Sequence, residues 1–179
     1  MKIKVFSMTC FFALFGFGMV GCDNSQGGQG ETSGNVVSAI FSEGEYVDLG
    51  LPSGTEWKTE NENGFYTYNE AVDAFGDKLP TKEQMSELVG SCKWTWEGDG
   101  YKAVGPNGNS IFLPAAGYRD CSLGDIRRVG TKGNYWSSTL SPSGNAWALF
   151  LFSGEYGGSV RVHYGDDCSF GHSIRLVRD

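Results

Sequence analysis

Two histidines, His163 and His172, and one cysteine, Cys168, fall within the stretch Gly154 to His172. A thiol activated by an imidazole is a nucleophile for group transfer, so Cys168 with either histidine is the covalent constellation that can be written. No flanking word supports it, and surface residues of a recognition face are the simpler reading. Asp120, Asp125, Asp166 and Asp167 offer hard oxygen ligands of the kind calcium takes, but acids on loops of an acidic protein are ordinarily solvated. No CxxC or histidine-rich spacing suggests zinc. The chain is therefore expected to be a binding protein and not an enzyme, with no metal or cofactor.

The same stretch carries side chains that suit a ligand better than a core. Rings bring contact area at low entropic cost, and small polar groups bring adaptable hydrogen bonds. Phe150 and Tyr156 are expected to stack. Arg161, Asp166 and Asp167 are expected to select charge, and Ser159, His163, Tyr164, Ser169 and His172 to hydrogen-bond. Apolar words frame this stretch: Gly133 to Thr139, Ala146-Trp147 and Ser173 to Arg178. Trp136, Trp147 and Leu176 in those words are expected to pack the core.

Elements that hold such a surface are legible upstream. Tyr46 to Leu51 alternates apolar and polar before Pro52-Ser53-Gly54, which predicts a strand ending in a turn. Thr67-Tyr68-Asn69-Glu70 and Thr81-Lys82-Glu83-Gln84 fit the capping box, in which N-cap and N3 side chains satisfy each other's backbone amides. The first helix presents Tyr68, Ala71, Val72 and Phe75 and stops at Gly76; the second presents Met85, Leu88 and Val89 and stops at Gly90. Brief aromatic or β-branched runs follow: Trp94 to Trp96, Tyr101 to Val104, Ser110 to Leu113, Trp147 to Phe152, Ser159 to His163 and Ser173 to Val177. Pro106-Asn107-Gly108 predicts a tight hairpin. The fold class is α+β, two short helices with antiparallel strands and long connections. Twenty-seven glycines beside five Trp, eight Tyr and twelve Phe suit a loop-rich chain with enough aromatic surface to close a core.

At 179 residues the chain suits one domain with appendages. Lys2 and Lys4, the apolar run Val5 to Val20 and the small residues before Cys22 have the anatomy of a secretory signal, too short and interrupted for a transmembrane helix. Asp23 to Asn35 is rich in Gly, Ser, Gln and Asn and reads as a flexible tether. The boundaries are residues 1–21 for the signal, 22–37 for the tether and 38–179 for the folded domain. Loss of Lys2 and Lys4 with the signal takes the formal charge from −7 to −9. Nucleic acid, which demands a basic stripe, is excluded as a partner; the basic pair Arg127-Arg128 reads as a solvated loop, with an anion site as the lesser alternative. Cys92, Cys121 and Cys168 remain in the domain and allow at most one internal disulfide. Sequence does not choose the pair, although Cys92, following an apolar helix face, reads as a buried thiol.

The end of the signal resembles the lipobox of bacterial lipoproteins, which implies lipidation of Cys22, a membrane anchor without a spanning segment, and an extracytoplasmic location at the outer membrane or cell surface. Tyr46 to Thr55, Leu79-Pro80-Thr81, Gly105 to Arg119, Tyr135 to Thr139 and Ile174 to Arg178 resemble, in order, the words of the Fibrobacter succinogenes major paralogous domain, a family of surface lipoproteins. The resemblance covers about Tyr46 to Asp179. The chain departs from it after Thr55, where Glu56-Trp57-Lys58 replaces the usual Leu-Trp-Ala and a longer insert is missing. It implies a C-type-lectin-like fold, related to that of the formylglycine-generating enzyme, and a protein or glycan ligand. The redox cysteine pair of that enzyme and the calcium-binding words of sugar-binding C-type lectins are not matched here.

A narrower resemblance is to the variable proteins of diversity-generating retroelements. Adenine mutagenesis of AAC or AAT codons never yields Lys, Gln, Glu, Met or Trp, and Tyr156 to Arg178 contains none of the five, where ordinary composition gives about five such residues. The resemblance implies a lipid-anchored receptor or adhesin, diversified in its C-terminal segment. A structural subunit of a surface assembly and an enzyme of the formylglycine-generating type are the competing expectations.

Overall fold

A threonine followed three residues later by a glutamate or glutamine starts both helices. The computed structural model describes residues 45–122 and 124–179, and for 165 and 166 the backbone alone. The expected signal, Cys22 and tether lie outside the described residues. Thr67 Oγ1 accepts from the Glu70 amide at 3.4 Å, and Glu70 Oε2 accepts from the Thr67 amide at 2.8 Å. Thr81 and Gln84 repeat the exchange at 3.2 and 2.8 Å. Helix α1 runs Tyr68–Phe75 and α2 runs Lys82–Ser91.

Gly76, at φ 51°, ends α1. Gly90 does not end α2: the helix passes through it and is capped by Cys92, whose amide donates to the Leu88 carbonyl at 3.2 Å. Burial of Leu88 and Cys92 together holds the chain helical past the glycine. The apolar stripe of α1 is narrower than expected. Tyr68 and Ala71 are buried, but Val72 is 37% exposed, because eight residues give one contact line and Val72 lies one step beyond it.

Among the described residues the strands are β1 Tyr46–Asp48, β2 Glu56–Lys58, β3 Lys93–Glu97, β4 Gly100–Val104, β5 Ser110–Pro114, β6 Tyr118–Arg119, β7 Ile126–Arg127, β8 Lys132–Leu140, β9 Ala146–Phe152, β10 Ser159–Asp166 and β11 Val177–Arg178. They form antiparallel sheets in the orders β1-β2-β11, β10-β9-β8 and β3-β4-β5, with β6-β7 a small ribbon. The Pro106-Asn107-Gly108 turn joins β4 to β5, closed by the Gly105 amide on the Asn109 carbonyl at 2.8 Å. The fold class is thus α+β, mostly antiparallel with two helices.

Strand β9, AWALFLF, is apolar throughout because both faces of its sheet are covered. Leu149 and Leu151 enter one core with Trp57, Met85, Leu88, Leu113 and Tyr135. Ala146, Ala148 and Phe150 enter the other with Tyr68, Ala71, Leu79, Trp136 and Ile174. Adjacent Tyr135 and Trp136 on β8 make the same division.

The C-terminal word Ser173 to Val177 is not a strand over its length. Gly171 bridges Arg119, His172 bridges Tyr66, Ser173 bridges Tyr135, and Val177–Arg178 alone pairs as β11. The segment threads between several partners, contributing one bridge to each. Arg175, 1% exposed, fixes it from within. Its Nε donates to Asn61 Oδ1 at 2.9 Å, Nη1 to the carbonyls of Lys58 (2.9 Å) and Thr59, and Nη2 to the Phe112 carbonyl at 2.8 Å. Burial lowers the guanidinium's pKa, and Tyr135 and Glu60 draw it back up. Burial likewise pushes the Tyr135 hydroxyl up to about 12, so it stays protonated across the physiological range.

Arg175→Lys keeps the charge but loses the fork that reaches four acceptors. It is expected to lower unfolding free energy by about 2–4 kcal/mol, because carbonyls are left unmet. Urea titration followed by tryptophan fluorescence reads this; a shift under about 0.5 kcal/mol would show that the contacts carry little weight.

All three described cysteines are free thiols, so neither Cys121 nor Cys168 forms the disulfide left open by the sequence. Burial pushes the Cys92 thiol up to about 11, while Cys121 is exposed. At pH 8, a chromogenic disulfide reagent is expected to titrate Cys121 in the native protein and Cys92 only after guanidinium unfolding. Equal rates would contradict the burial.

Candidate functional site

Alternation along β10 sorts its side chains. Val160 and Val162 pack on the first core, and Arg161 and His163 are exposed on the opposite face, with Ser159 half-buried in line with them. A register shift after Tyr164 breaks the alternation. Tyr164 is exposed beside His163, their rings parallel with centroids 5.1 Å apart, and it also leans on Trp147 at 5.1 Å. Trp147 is therefore half-buried between Tyr164 and the Lys82 ammonium, 4.8 Å from its ring, and does not join the core as Trp136 does.

Two of the expected ligand residues are not on this surface. Phe150, 6% exposed, lies on the central strand and packs into the second core. His172 is fully buried. Its ring stacks on Trp136 at 3.7 Å, its Nε2 meets Asn134 Nδ2 at 3.1 Å, and its backbone exchanges hydrogen bonds with Tyr66 at 2.9 and 3.0 Å. Both are structural, because the C-terminal segment crosses behind the sheet and closes over them.

Asp167 and Ser169 form a turn of their own. Asp167 Oδ1 accepts from the Ser169 amide at 2.9 Å and hydroxyl at 2.7 Å, and those two donors hold its carboxyl below the usual range. Both side chains are exposed. The Asp166 side chain lies outside the described set. Cys168 Sγ donates to the Gly144 carbonyl at 3.5 Å, and among the described residues no hydrogen bond joins it to either imidazole. Among the described residues no three His, Cys, Asp or Glu converge as a metal site.

Tyr156 belongs to a cleft that sequence did not announce, and Arg161 stands over one of its walls. Tyr118, Arg128, Lys132, Phe152 and Tyr156 line a cavity of about 240 Å³. Tyr118 comes from β6, Lys132 and Phe152 face each other across β8 and β9, and Tyr156 tops a one-turn 3-10 helix, Gly154–Tyr156. The loop carrying Arg128 is bound to the sheet by the Gly117 amide on the Lys132 carbonyl and the Gly130 amide on the Ala115 carbonyl, each at 2.7 Å. Gly117 has φ +83°, and a Cβ there would lie 2.2 Å from the Arg127 carbonyl oxygen.

Arg128 itself sits at φ 64°, a left-handed conformation that costs a non-glycine residue about 1–3 kcal/mol and persists only when its surroundings hold it. Here its carbonyl accepts from the amides of Thr131 and Lys132, at 3.1 and 3.0 Å, and from the Thr131 hydroxyl at 3.0 Å. The result aims the guanidinium at Tyr156: its Nη1 donates to the Tyr156 hydroxyl, and its central carbon lies 5.2 Å from the ring centroid. Arg128 is thus part of the cleft wall and not simply a solvated loop residue; Arg127 beside it pairs with Asp120 at 3.1 Å. The Lys132 ammonium lies 5.0, 5.1 and 5.4 Å from the rings of Tyr118, Phe150 and Phe152. Arg161 stands over Phe152 at 4.9 Å.

Of these, Tyr118, Arg128, Lys132 and Phe152 were not expected as site residues. Gly117 marks a turn ahead of Tyr118, but nothing local signals that four separate segments converge. No protein-family model, curated protein or solved structure matches the chain.

The burial pattern separates display from support. Phe150→Ala and His172→Ala are expected to cost about 2–5 kcal/mol, while Arg161→Ala and His163→Ala stay within about 0.5 kcal/mol of the parent. Thermal and urea unfolding of the four variants checks this, and equal losses across them would abolish the distinction.

Proposed function

We propose that the chain is a lipid-anchored extracytoplasmic receptor or adhesin with a C-type-lectin-like domain, recognising a protein or glycan through its C-terminal segment. The observation that carries this reading is the division of that segment. Tyr156, Arg161, His163 and Tyr164 face solvent, while the strands and residues behind them, Leu149, Leu151, Trp136 and Arg175, are fully or almost fully buried. Changes on the outer set alter what is presented without reaching the core.

Supporting the lectin-like reading, β1 and β11 from opposite ends of the domain both pair with β2. Two short helices accompany antiparallel sheets with long connections. The lipobox-like end of the signal at Cys22 supports anchoring. The absence of Lys, Gln, Glu, Met and Trp from Tyr156 to Arg178 supports diversification by a retroelement. A near-copy of the gene's 3′ end beside a reverse transcriptase, differing at adenines, tests that part.

The full chain in detergent, screened on glycan and surface-protein arrays beside a variant with Tyr156, Arg161, His163 and Tyr164 changed to alanine, tests the receptor reading. Binding by the parent that the variant loses, at an unchanged melting temperature, is the expected result. Equal binding by both proteins would move recognition elsewhere.

A further inference from the structure

Resting on the receptor reading, we propose that the cleft between β6, the Arg128 turn and the β8–β9 sheet binds one acidic sugar residue, a ring bearing a carboxylate or sulfate. The first ground is charge. The chain carries a formal −7, yet the described residues that line the cleft include Arg128 and Lys132 and no acid, with Arg161 standing over the Phe152 ring that forms part of its wall. In a protein of that sign, two or three cations gathered at one cavity focus the field locally and favour an anion there.

The second ground is how these cations are held. Among the described residues no carboxylate pairs with Arg128 or Arg161. Each guanidinium is placed over a ring instead, at 5.2 Å from Tyr156 and 4.9 Å from Phe152. A guanidinium held by its charge against a ring still carries N–H donors in a fork that matches a carboxylate or sulfate. Arg128 is further fixed by its left-handed backbone and by its bond to the Tyr156 hydroxyl, so little rotamer freedom is lost on binding.

The third ground is what the walls exclude. Rings about an ammonium-sized space ordinarily attract a cationic ligand. Tyr118, Phe150 and Phe152 already hold the protein's own Lys132 ammonium at 5.0–5.4 Å, so that box is occupied. At about 240 Å³ the cleft falls below the roughly 300–1,000 Å³ of sites that enclose a drug-sized molecule. It takes one ring-sized terminal group. Tyr118, Phe152 and Tyr156 offer aromatic faces to the C–H surface of a sugar ring, and an aspartate or glutamate side chain of a peptide would leave those faces unused.

Titration calorimetry of the full chain in detergent tests the assignment with four probes: a glucuronate-terminated disaccharide, a galactose-6-sulfate-terminated disaccharide, the neutral galactose counterpart and a phosphotyrosine peptide. At least one acidic sugar is expected to bind about tenfold or more tightly than the neutral sugar, a difference of about 1.4 kcal/mol; which one wins identifies carboxylate or sulfate. Arg128→Gln and Arg161→Gln are each expected to weaken that binding about tenfold with unchanged melting temperature, Tyr156→Phe less, and Lys78→Gln, an equal charge loss away from the cleft, not at all. Preference for the phosphotyrosine peptide, or acidic-sugar binding indifferent to Arg128 and Arg161, overturns the assignment. Neutral-sugar binding as tight as acidic overturns it too, and if the four-alanine variant loses that binding, the receptor reading survives alone. Failure of both acidic sugars at millimolar concentration overturns the assignment, and the surface-protein array then decides the receptor reading separately.

Discussion

The rest of the structure depends on one buried guanidinium. Among the described residues Arg175 has no carboxylate hydrogen-bond partner and is satisfied by the carbonyls of Lys58, Thr59 and Phe112 and by the Asn61 side chain. These partners come from the end of β2 and the segment that follows it, and from β5, regions remote in sequence from the C-terminal run. Taking a charge out of water is costly unless every donor is met. The geometry that meets them is available only when those segments are docked, so the arginine specifies their arrangement. A lysine is a point charge on a flexible stem and specifies much less.

That constraint explains the double use of the β8–β9–β10 sheet. With the C-terminal segment pinned, His172 and Ile174 are held against Trp136, and the second core closes on one face of the sheet while Tyr135, Leu149 and Leu151 complete the first core on the other. Between them, β8 and β9 become a rigid double-sided floor. The cleft stands where the second-core side of this floor runs out past Phe150, and Lys132 and Phe152 are the residues left at its edge. The Arg128 and Arg161 guanidinium groups there are held over rings, with no carboxylate partner among the described residues, which leaves their anion-binding capacity unspent.

Much of the frame was legible because its signals are local. The two capping boxes, the Asn107-Gly108 hairpin and the apolar words of β8 and β9 each depend on neighbours a few residues away, and each is found where sequence placed it. Gly90 misled because helix termination there is decided by burial of Leu88 and Cys92, a tertiary matter. On the surface, Arg161 and His163, singled out by residue type alone, lie outward in the period-two alternation of β10. Phe150 and His172 were misjudged because residue type was taken to reveal exposure, whereas both are covered by a chain crossing that no short window contains. Arg128, noticed only as half of a basic pair, and Lys132 were missed as cleft residues for the same reason in reverse: their meaning lies in convergence with Tyr118, Phe152 and Tyr156 from separate segments, and the left-handed conformation of a non-glycine residue leaves no mark in sequence.

Strand β10 carries a further tension. Among the described residues it pairs only with β9, so its outer edge is a row of backbone groups that invites another strand. Edge strands are ordinarily protected by charge, by bulges or by cover. Here Arg161 and the paired rings of His163 and Tyr164 occupy the exposed positions, and a register shift after Tyr164 bends the strand. The features that blunt strand addition are thus the same side chains that the receptor reading assigns to recognition. On the receptor reading, such a surface must still keep the edge unattractive to other strands. The backbone irregularity after Tyr164 supplies such protection through the main chain, without prescribing which side chains the strand displays.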